Sequence, residues 1–198
     1  MTIIAFKDGI LVADGLATVG NMIVGTSTRK IIRYEDGSFA AATGLHPTIE
    51  RVHQHLRSGF HYKTGDRLPV DLARVEEGDL TVFVVKPDGR QFLVFFDGDV
   101  RETTDCELGY RAFGQGDEFA LGAMAAGASA EEAVRLVCAR YAHCGGTIQV
   151  EHLVPASSPD VEEHELFPEE WYNPEMYYSD EESAPKGVAA YMQKHGLV

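Results

Sequence analysis

Apolar positions open the chain in two short runs, residues 3–6 and 10–13, separated by Lys7-Asp8-Gly9. Two apolar runs around a turn signal predict a β-hairpin. A three-residue loop closed by Gly9 in the left-handed region pairs Phe6 with Ile10, Ile4 with Val12 and Thr2 with Asp14. A two-residue Asp-Gly turn shifts the register by one and pairs Thr2 with Gly15, so the geometry rests on turn type. Residues 28–34 read as a further strand, stopped by Glu35-Asp36-Gly37, with Lys30 and Ile32 on one face. Residues 47–57 read as a helix, with Pro47 near its start, Ile49, Val52 and Leu56 on one stripe and Gly59 after it.

Two near-continuous apolar runs follow, 80–85 and 91–96, around Lys86-Pro87-Asp88-Gly89-Arg90. They predict a hairpin in a sheet buried on both faces. Residues 117–126 form an Ala-rich helical pattern that Gly127 breaks. Ser129 and Glu132 make a capping box for the next helix, with Ala133, Val134, Val137 and Cys138 on its apolar side. Residues 147–153 read as a last strand. Strands first, two late helices and a closing strand make an α+β pattern.

Composition narrows the class. A chain of 198 residues suits one domain, or at most two, with a sizeable core. The net charge of −14 argues against nucleic acid as a partner. No apolar run approaches a membrane span, and no leader with a cleavage site is expected ahead of Thr2. The three cysteines, Cys106, Cys138 and Cys144, have neither disulfide nor metal spacing, which points to a reducing, cytoplasmic setting. His53 and His55 are two apart on one helix and do not share a face, and no metal site or cofactor is expected.

The chemistry gathers at the start. Clipping Met1 before a small residue leaves Thr2 with a free α-amine beside its own hydroxyl. An α-amine titrates at about 7.7–8.0, so it serves as a base near neutral pH. Asp14 and Lys30 are the second and third candidates. If the strand of Lys30 lies beside the first hairpin, the ammonium reaches both Asp14 and Thr2, and its field lowers the proton affinity of the Thr2 hydroxyl and amine. Singly, each reads better as a strand start, a turn or a solvated edge. Together they read as a site. The small residues Ala40 to Thr43 ending in Gly44 suit the close approach of a substrate backbone, with an N–H aimed at a developing oxyanion.

Several stretches then carry a resemblance. They are Thr2-Ile3-Ile4-Ala5-Phe6-Lys7, Val12-Ala13-Asp14-Gly15-Leu16-Ala17-Thr18-Val19-Gly20-Asn21 and Arg29-Lys30-Ile31. They continue with Ala41-Ala42-Thr43-Gly44, Ala112-Phe113-Gly114-Gln115-Gly116, residues 120–133 and Cys144-Gly145-Gly146. In this order the chain resembles the proteasome β-subunits and the HslV-type peptidases, which are N-terminal nucleophile hydrolases, in the short form found in bacteria and phages. The resemblance covers roughly the first three quarters of the chain. It implies a four-layer αββα sandwich, with two antiparallel sheets face to face and helices outside.

The same resemblance implies roles. Thr2 is the nucleophile and base, Lys30 the catalytic lysine, Asp14 its orienting carboxylate and Gly44 the oxyanion donor. Thr18 and Ala42 hold substrate as an added strand. His46 lies near the side-chain pocket, a placement compatible with His46-Pro47 starting a helix. It also implies a ring homo-oligomer, a peptide or unfolded-protein substrate and an unfoldase ATPase as a candidate partner.

The departures are specific. Gln115 stands where the family usually has Ser, Tyr141 where Asp is common, Cys144 where Ser or Thr precedes Gly-Gly, and Ile3 where a second Thr is usual. In the family these groups position the N-terminal amine and its water. Gln115 still donates and accepts hydrogen bonds, whereas Tyr141 supplies no carboxylate charge. A threonine-type peptidase is therefore weighed against a ring or assembly subunit without activity, and against an amidase of the same fold.

Residues 1–154 form the predicted domain and 155–198 an acidic extension. Between Pro155 and Ala184 there are ten carboxylates and no Lys or Arg, with Phe167, Trp171, Tyr172, Tyr177 and Tyr178 among them. Such a stretch is either a solvating tail or an arm that docks its aromatics, and the aromatics favour the arm. Residues 186–195 suit a short terminal helix.

Overall fold

A computed structural model describes residues 2–69, 80–95, 97–104 and 108–153. The acidic arm at 155–198, its terminal helix and Cys106 lie outside the described residues.

Strand β1 (Ile3–Lys7) turns into β2 (Ile10–Ala13) as the opening runs predict. The register is that of the shorter loop. Lys7 pairs with Ile10, Phe6 with Leu11, Ala5 with Val12 and Ile4 with Ala13. Asp8 and Gly9 form the whole loop, at φ 52° and 77°. Positive φ at both central residues is the type I′ condition, whose twist matches the strands. The pairing of Thr2 with Asp14 is therefore corrected. The register continues with Asp14 opposite Ile3, and the Asp14 N–H donates to the Ile3 carbonyl at 3.2 Å.

A small ribbon follows, β3 (Ala17–Val19) with β4 (Met22–Gly25), then β5 (Ile31–Arg33), β6 (Phe39–Gly44) and helix α1 (His46–His55). Next come β7 (Leu80–Val85), β8 (Gln91–Phe95), β9 (Val100–Glu102) and β10 (Tyr110–Gly114). Helices α2 (Asp117–Ala125) and α3 (Ala130–Cys138) and strand β11 (Gln149–His152) complete the described elements. One sheet has the order β10-β1-β2-β11 and the other β5-β6-β7-β8-β9, with antiparallel pairs throughout.

Strand alternation sorts the side chains into layers. Ile4, Phe6, Leu11 and Ala13 of the first sheet meet Ile31, Phe39, Ala41, Phe83, Val85 and Leu93 of the second. Phe6 and Phe83 stack edge to face with centroids 5.4 Å apart. Ile3, Ala5, Val12 and Ala112 face the other way, onto Ala120, Met124, Ala133, Val134 and Val137 of α2 and α3. The predicted capping box starts α3: Ser129 Oγ accepts the Glu132 N–H and Glu132 accepts the Ser129 N–H. Cys138 is half-buried against this core. Helix α1, with Val52 and Leu56 buried, contacts β6 and β7 and is the one helix beside the second sheet among the described residues.

The strand predicted to carry Lys30 is also corrected, since β5 begins only at Ile31. It is shorter than residues 28–34 and lies at the edge of the second sheet, bonded to β6, not beside the first hairpin. Residues 28 and 30 bond elsewhere: the Thr28 N–H reaches the Gly15 carbonyl at 2.9 Å and the Lys30 N–H reaches Gln149 Oε1 at 2.8 Å. These bonds draw the stretch out of the β6 ladder and bring Lys30 against the first sheet.

Candidate active site

Asp14 is completely buried at the end of β2. A carboxylate without water needs partners for both oxygens, and Asp14 has four. Oδ1 accepts from Lys30 Nζ at 2.7 Å and from the Ile3 N–H at 3.0 Å. Oδ2 accepts from the Gly145 N–H at 3.0 Å and the Leu16 N–H at 3.3 Å. The Lys30 side chain is only 9 % exposed. Burial pushes its ammonium below the usual 10.5, against the opposing pull of the Asp14 charge. The result is a buried ion pair one residue from Thr2.

Thr2 is half-buried at the mouth of β1. Its carbonyl accepts the Gln115 N–H at 2.8 Å, which fixes residue 2 against the end of β10. Gly114 makes this approach feasible. It has φ 96°, and a Cβ there would collide with the Thr2 carbonyl oxygen and stand 3.1 Å from the Thr43 methyl. The end of β6 therefore lies beside Gly114 and the Thr2 carbonyl. Gly44 follows Thr43 at the exposed tip of β6, with φ 139°. Strand β5 reaches only to Ile31 opposite Ala41, so Ala42, Thr43 and Gly44 are laddered to β7 alone.

Three of the four departures from the family pattern, Gln115, Tyr141 and Cys144, lie near one another. Cys144 is buried, and its thiol donates to the Gln115 carbonyl at 3.8 Å. Burial, with the Asp14 charge second, pushes the Cys144 thiol up to about 12. It remains a neutral donor at physiological pH and is no thiolate nucleophile. A Cβ on Gly116 would lie 3.0 Å from Cε2 of Tyr141, so the Tyr141 ring packs against Gly116, the residue after Gln115. The Gln115 Oε1 atom is buried without a donor among the described residues.

Other predicted positions stand apart. Thr18 is half-buried in the β3–β4 ribbon, paired with Ile23. Ala42 is buried within β6. His46 opens α1, exposed, and its charge acts on His53. Sequence reasoning missed the backbone donors at Ile3, Leu16 and Gly145, and it missed Gln149. The Cys-Gly-Gly stretch was a signal for Gly145; nothing local marked Gln149. Among the described residues no three His, Cys, Asp or Glu side chains gather as metal ligands, and no helix is long and apolar enough to cross a membrane.

No protein-family model and no curated protein matches the chain. Solved structures do. Thiobacillus denitrificans BPH aligns with a TM-score of 0.54 at 22 % identity, over 80 % of this chain and 99 % of that one. The same BPH in complex with epoxomicin aligns with 0.54 at 22 %, over 78 % and 99 %. Eukaryotic HslV from Trypanosoma brucei aligns with 0.52 at 19 %, over 76 % and 98 %. The described architecture is thus a proteasome-like, mixed α and β fold. It is the fold shared by BPH and HslV, as the sequence motifs predict.

Proposed function

We propose that the chain is a threonine-type peptidase acting through Thr2 once Met1 is removed. The observation that carries this reading is the buried Asp14–Lys30 ion pair, whose Oδ1 also holds the N–H of Ile3, the residue after Thr2. In the proposed reaction the Thr2 α-amine takes the hydroxyl proton and Oγ1 attacks a peptide carbonyl. The Lys30 ammonium favours the alkoxide. The Gly44 N–H receives the oxyanion. The amine returns the proton to the leaving nitrogen, and water then hydrolyses the ester. Ala42 and Thr18 bind substrate as an added strand, a role supported by the edge that β5 leaves uncovered, and His46 borders the pocket. We take the freed α-amine as the missing donor for Gln115 Oε1, with Tyr141 and Cys144 supporting Gln115 from behind.

The wider proposal is a complete αββα sandwich that assembles into a cytoplasmic ring of identical subunits. Unfolded protein is its substrate and an unfoldase ATPase its candidate partner. One observation favours a second reading, a ring subunit without activity: Tyr141 and Cys144 bring no charge to the amine. The test begins with the intact mass from the natural host. Loss of one methionine, hydrolysis of unfolded protein, and its abolition in Thr2→Ala support the peptidase. Epoxomicin, present in the BPH complex, should then inhibit it. A protein that lacks Met1 yet hydrolyses nothing supports the second reading, and retention of Met1 overturns the proposed base.

A further inference from the structure

Strand β5 is an edge strand, and the stretch before it has left the ladder of its own sheet. Its backbone groups are met by one side chain from the other sheet. Gln149 Oε1 accepts the N–H of Lys30 at 2.8 Å and of Ile31 at 3.2 Å, and Gln149 Nε2 donates to the Thr28 carbonyl at 2.5 Å. A carboxamide is suited to this, because it offers an acceptor and donors side by side as a neighbouring strand would. Glutamate lacks the donor and methionine lacks both groups.

The location gives the contact its meaning. Gln149 pairs with Ala13, the residue before Asp14. Four residues earlier, Gly145 donates to Asp14 Oδ2 at 3.0 Å and its carbonyl accepts the Gly15 N–H at 2.9 Å. Between them the Thr147 N–H reaches the Thr26 carbonyl at 2.7 Å. One segment, 145–149, therefore holds both partners of the ion pair. A lysine stem has four rotatable bonds, so Asp14 and the position of its own backbone together fix the ammonium.

We propose that Gln149 is a positioning residue for Lys30: it clamps the Lys30 backbone so that the ammonium meets Asp14 beneath Thr2. The proposal rests on the reading of Lys30 as the lysine of a threonine peptidase. Misplacing a catalytic group by about 1 Å costs on the order of 100-fold in rate, so the clamp belongs to rate and not to substrate binding.

The test uses the full chain with Gln149→Met, Gln149→Glu and the control Glu151→Gln. Glu151 tethers the same strand to β5 through Arg33 at 2.8 Å, without touching Lys30. Readouts are kcat, KM, the pH profile, thermal midpoint and NMR titration of the Lys30 side chain, assigned with Lys30→Arg. Gln149→Met should lower kcat about 10–100-fold with KM within about twofold, and move the Lys30 titration and the alkaline limb together. Gln149→Glu keeps an acceptor for the two N–H groups but loses the donor to the Thr28 carbonyl and should lie between, and it carries the test if Gln149→Met does not fold. Glu151→Gln should lower the thermal midpoint and leave kcat and the limb alone. Wild-type kcat and titration in the folded Gln149 variants overturn the proposal, as does an equal kcat loss in Glu151→Gln at equal destabilisation. If the wild type shows no Thr2-dependent hydrolysis, the peptidase reading fails by itself. The NMR titration then decides the clamp: a moved Lys30 supports it and an unmoved one overturns it.

Discussion

The Lys30 ammonium lies 2.7 Å from Asp14 Oδ1, although Lys30 precedes β5 of one sheet and Asp14 follows β2 of the other. Asp14 keeps three N–H donors, from Ile3, Leu16 and Gly145, whether or not the lysine is present. Asp14 therefore does not depend on Lys30 alone. Asp14→Ala strands those three donors and deprives a buried ammonium of its carboxylate, a loss of about 3–5 kcal/mol. Lys30→Met leaves a carboxylate still held by three N–H groups and should cost less than half as much. Urea unfolding of the two variants checks the asymmetry; equal losses would refute it.

The same pair sets a pH dependence. The proposed base must be unprotonated, giving an acid limb near about 7.7–8.0. The alkaline limb follows deprotonation of Lys30, which burial brings below 10.5. Stability moves the other way. The folded chain holds the Lys30 proton less tightly than the unfolded chain, so between its lowered value and 10.5 the unfolded state binds more protons and folding gains as pH rises. Activity should therefore fall on the alkaline side without a drop in stability due to Lys30. Profiles of kcat/KM and of the unfolding midpoint across the same range test this, with Lys30→Arg expected to push the alkaline limb upward.

Much of the architecture was legible because its signals are local. The Ser129–Glu132 box starts α3, and the runs around Lys86 to Arg90 make β7 and β8. The first hairpin was legible except for its register, because Lys7-Asp8-Gly9 admits two loop lengths. The choice is made by a distant requirement: Ile4, Phe6, Leu11 and Ala13 must pair across the strands and still face the second sheet together. The placement of Lys30 was not legible, since its partner Gln149 lies 119 residues away. Asp14 and Lys30 could be read as partners from residue chemistry, but the three backbone donors on Asp14 could not, because backbone groups leave no mark in a sequence. The turn itself yields a prediction. Gly9→Ala forces a Cβ into φ 77° and should cost about 1 kcal/mol, whereas Asp8→Asn should be neutral or slightly stabilising. Denaturant midpoints distinguish the two.

A second buried pair governs acid stability. His53 Nδ1 and the Tyr34 hydroxyl share a 2.6 Å hydrogen bond beneath α1, both side chains buried. Burial, with the His46 charge second, lowers His53 from 6.5 to about 4. Between those values the unfolded chain binds a proton that the folded chain refuses, so stability falls as pH drops from 6.5 and levels off below 4. The loss from this group is about 3 kcal/mol. His53→Gln removes the titration, so the difference in unfolding free energy between wild type and variant should change by this amount across the window. A pH-independent difference would show that His53 titrates normally.

Gly114 offers the sharpest separation of site from scaffold. Its φ of 96° alone penalises any side chain, and a Cβ would also collide with the Thr2 carbonyl oxygen. That oxygen is the one bonded to the Gln115 N–H, so the collision must displace the proposed nucleophile or break its tether. Gly109 is a matched control: its φ is 68°, and a Cβ there meets nothing within 4 Å. Both Gly→Ala variants should lose about 1 kcal/mol to backbone strain. Only Gly114→Ala should lose hydrolysis as well, by on the order of 100-fold, because only there is Thr2 moved. Peptide hydrolysis measured at matched folded fractions makes the comparison. Equal activity in the two variants would mean that the Gly114 contact does not position Thr2 for chemistry.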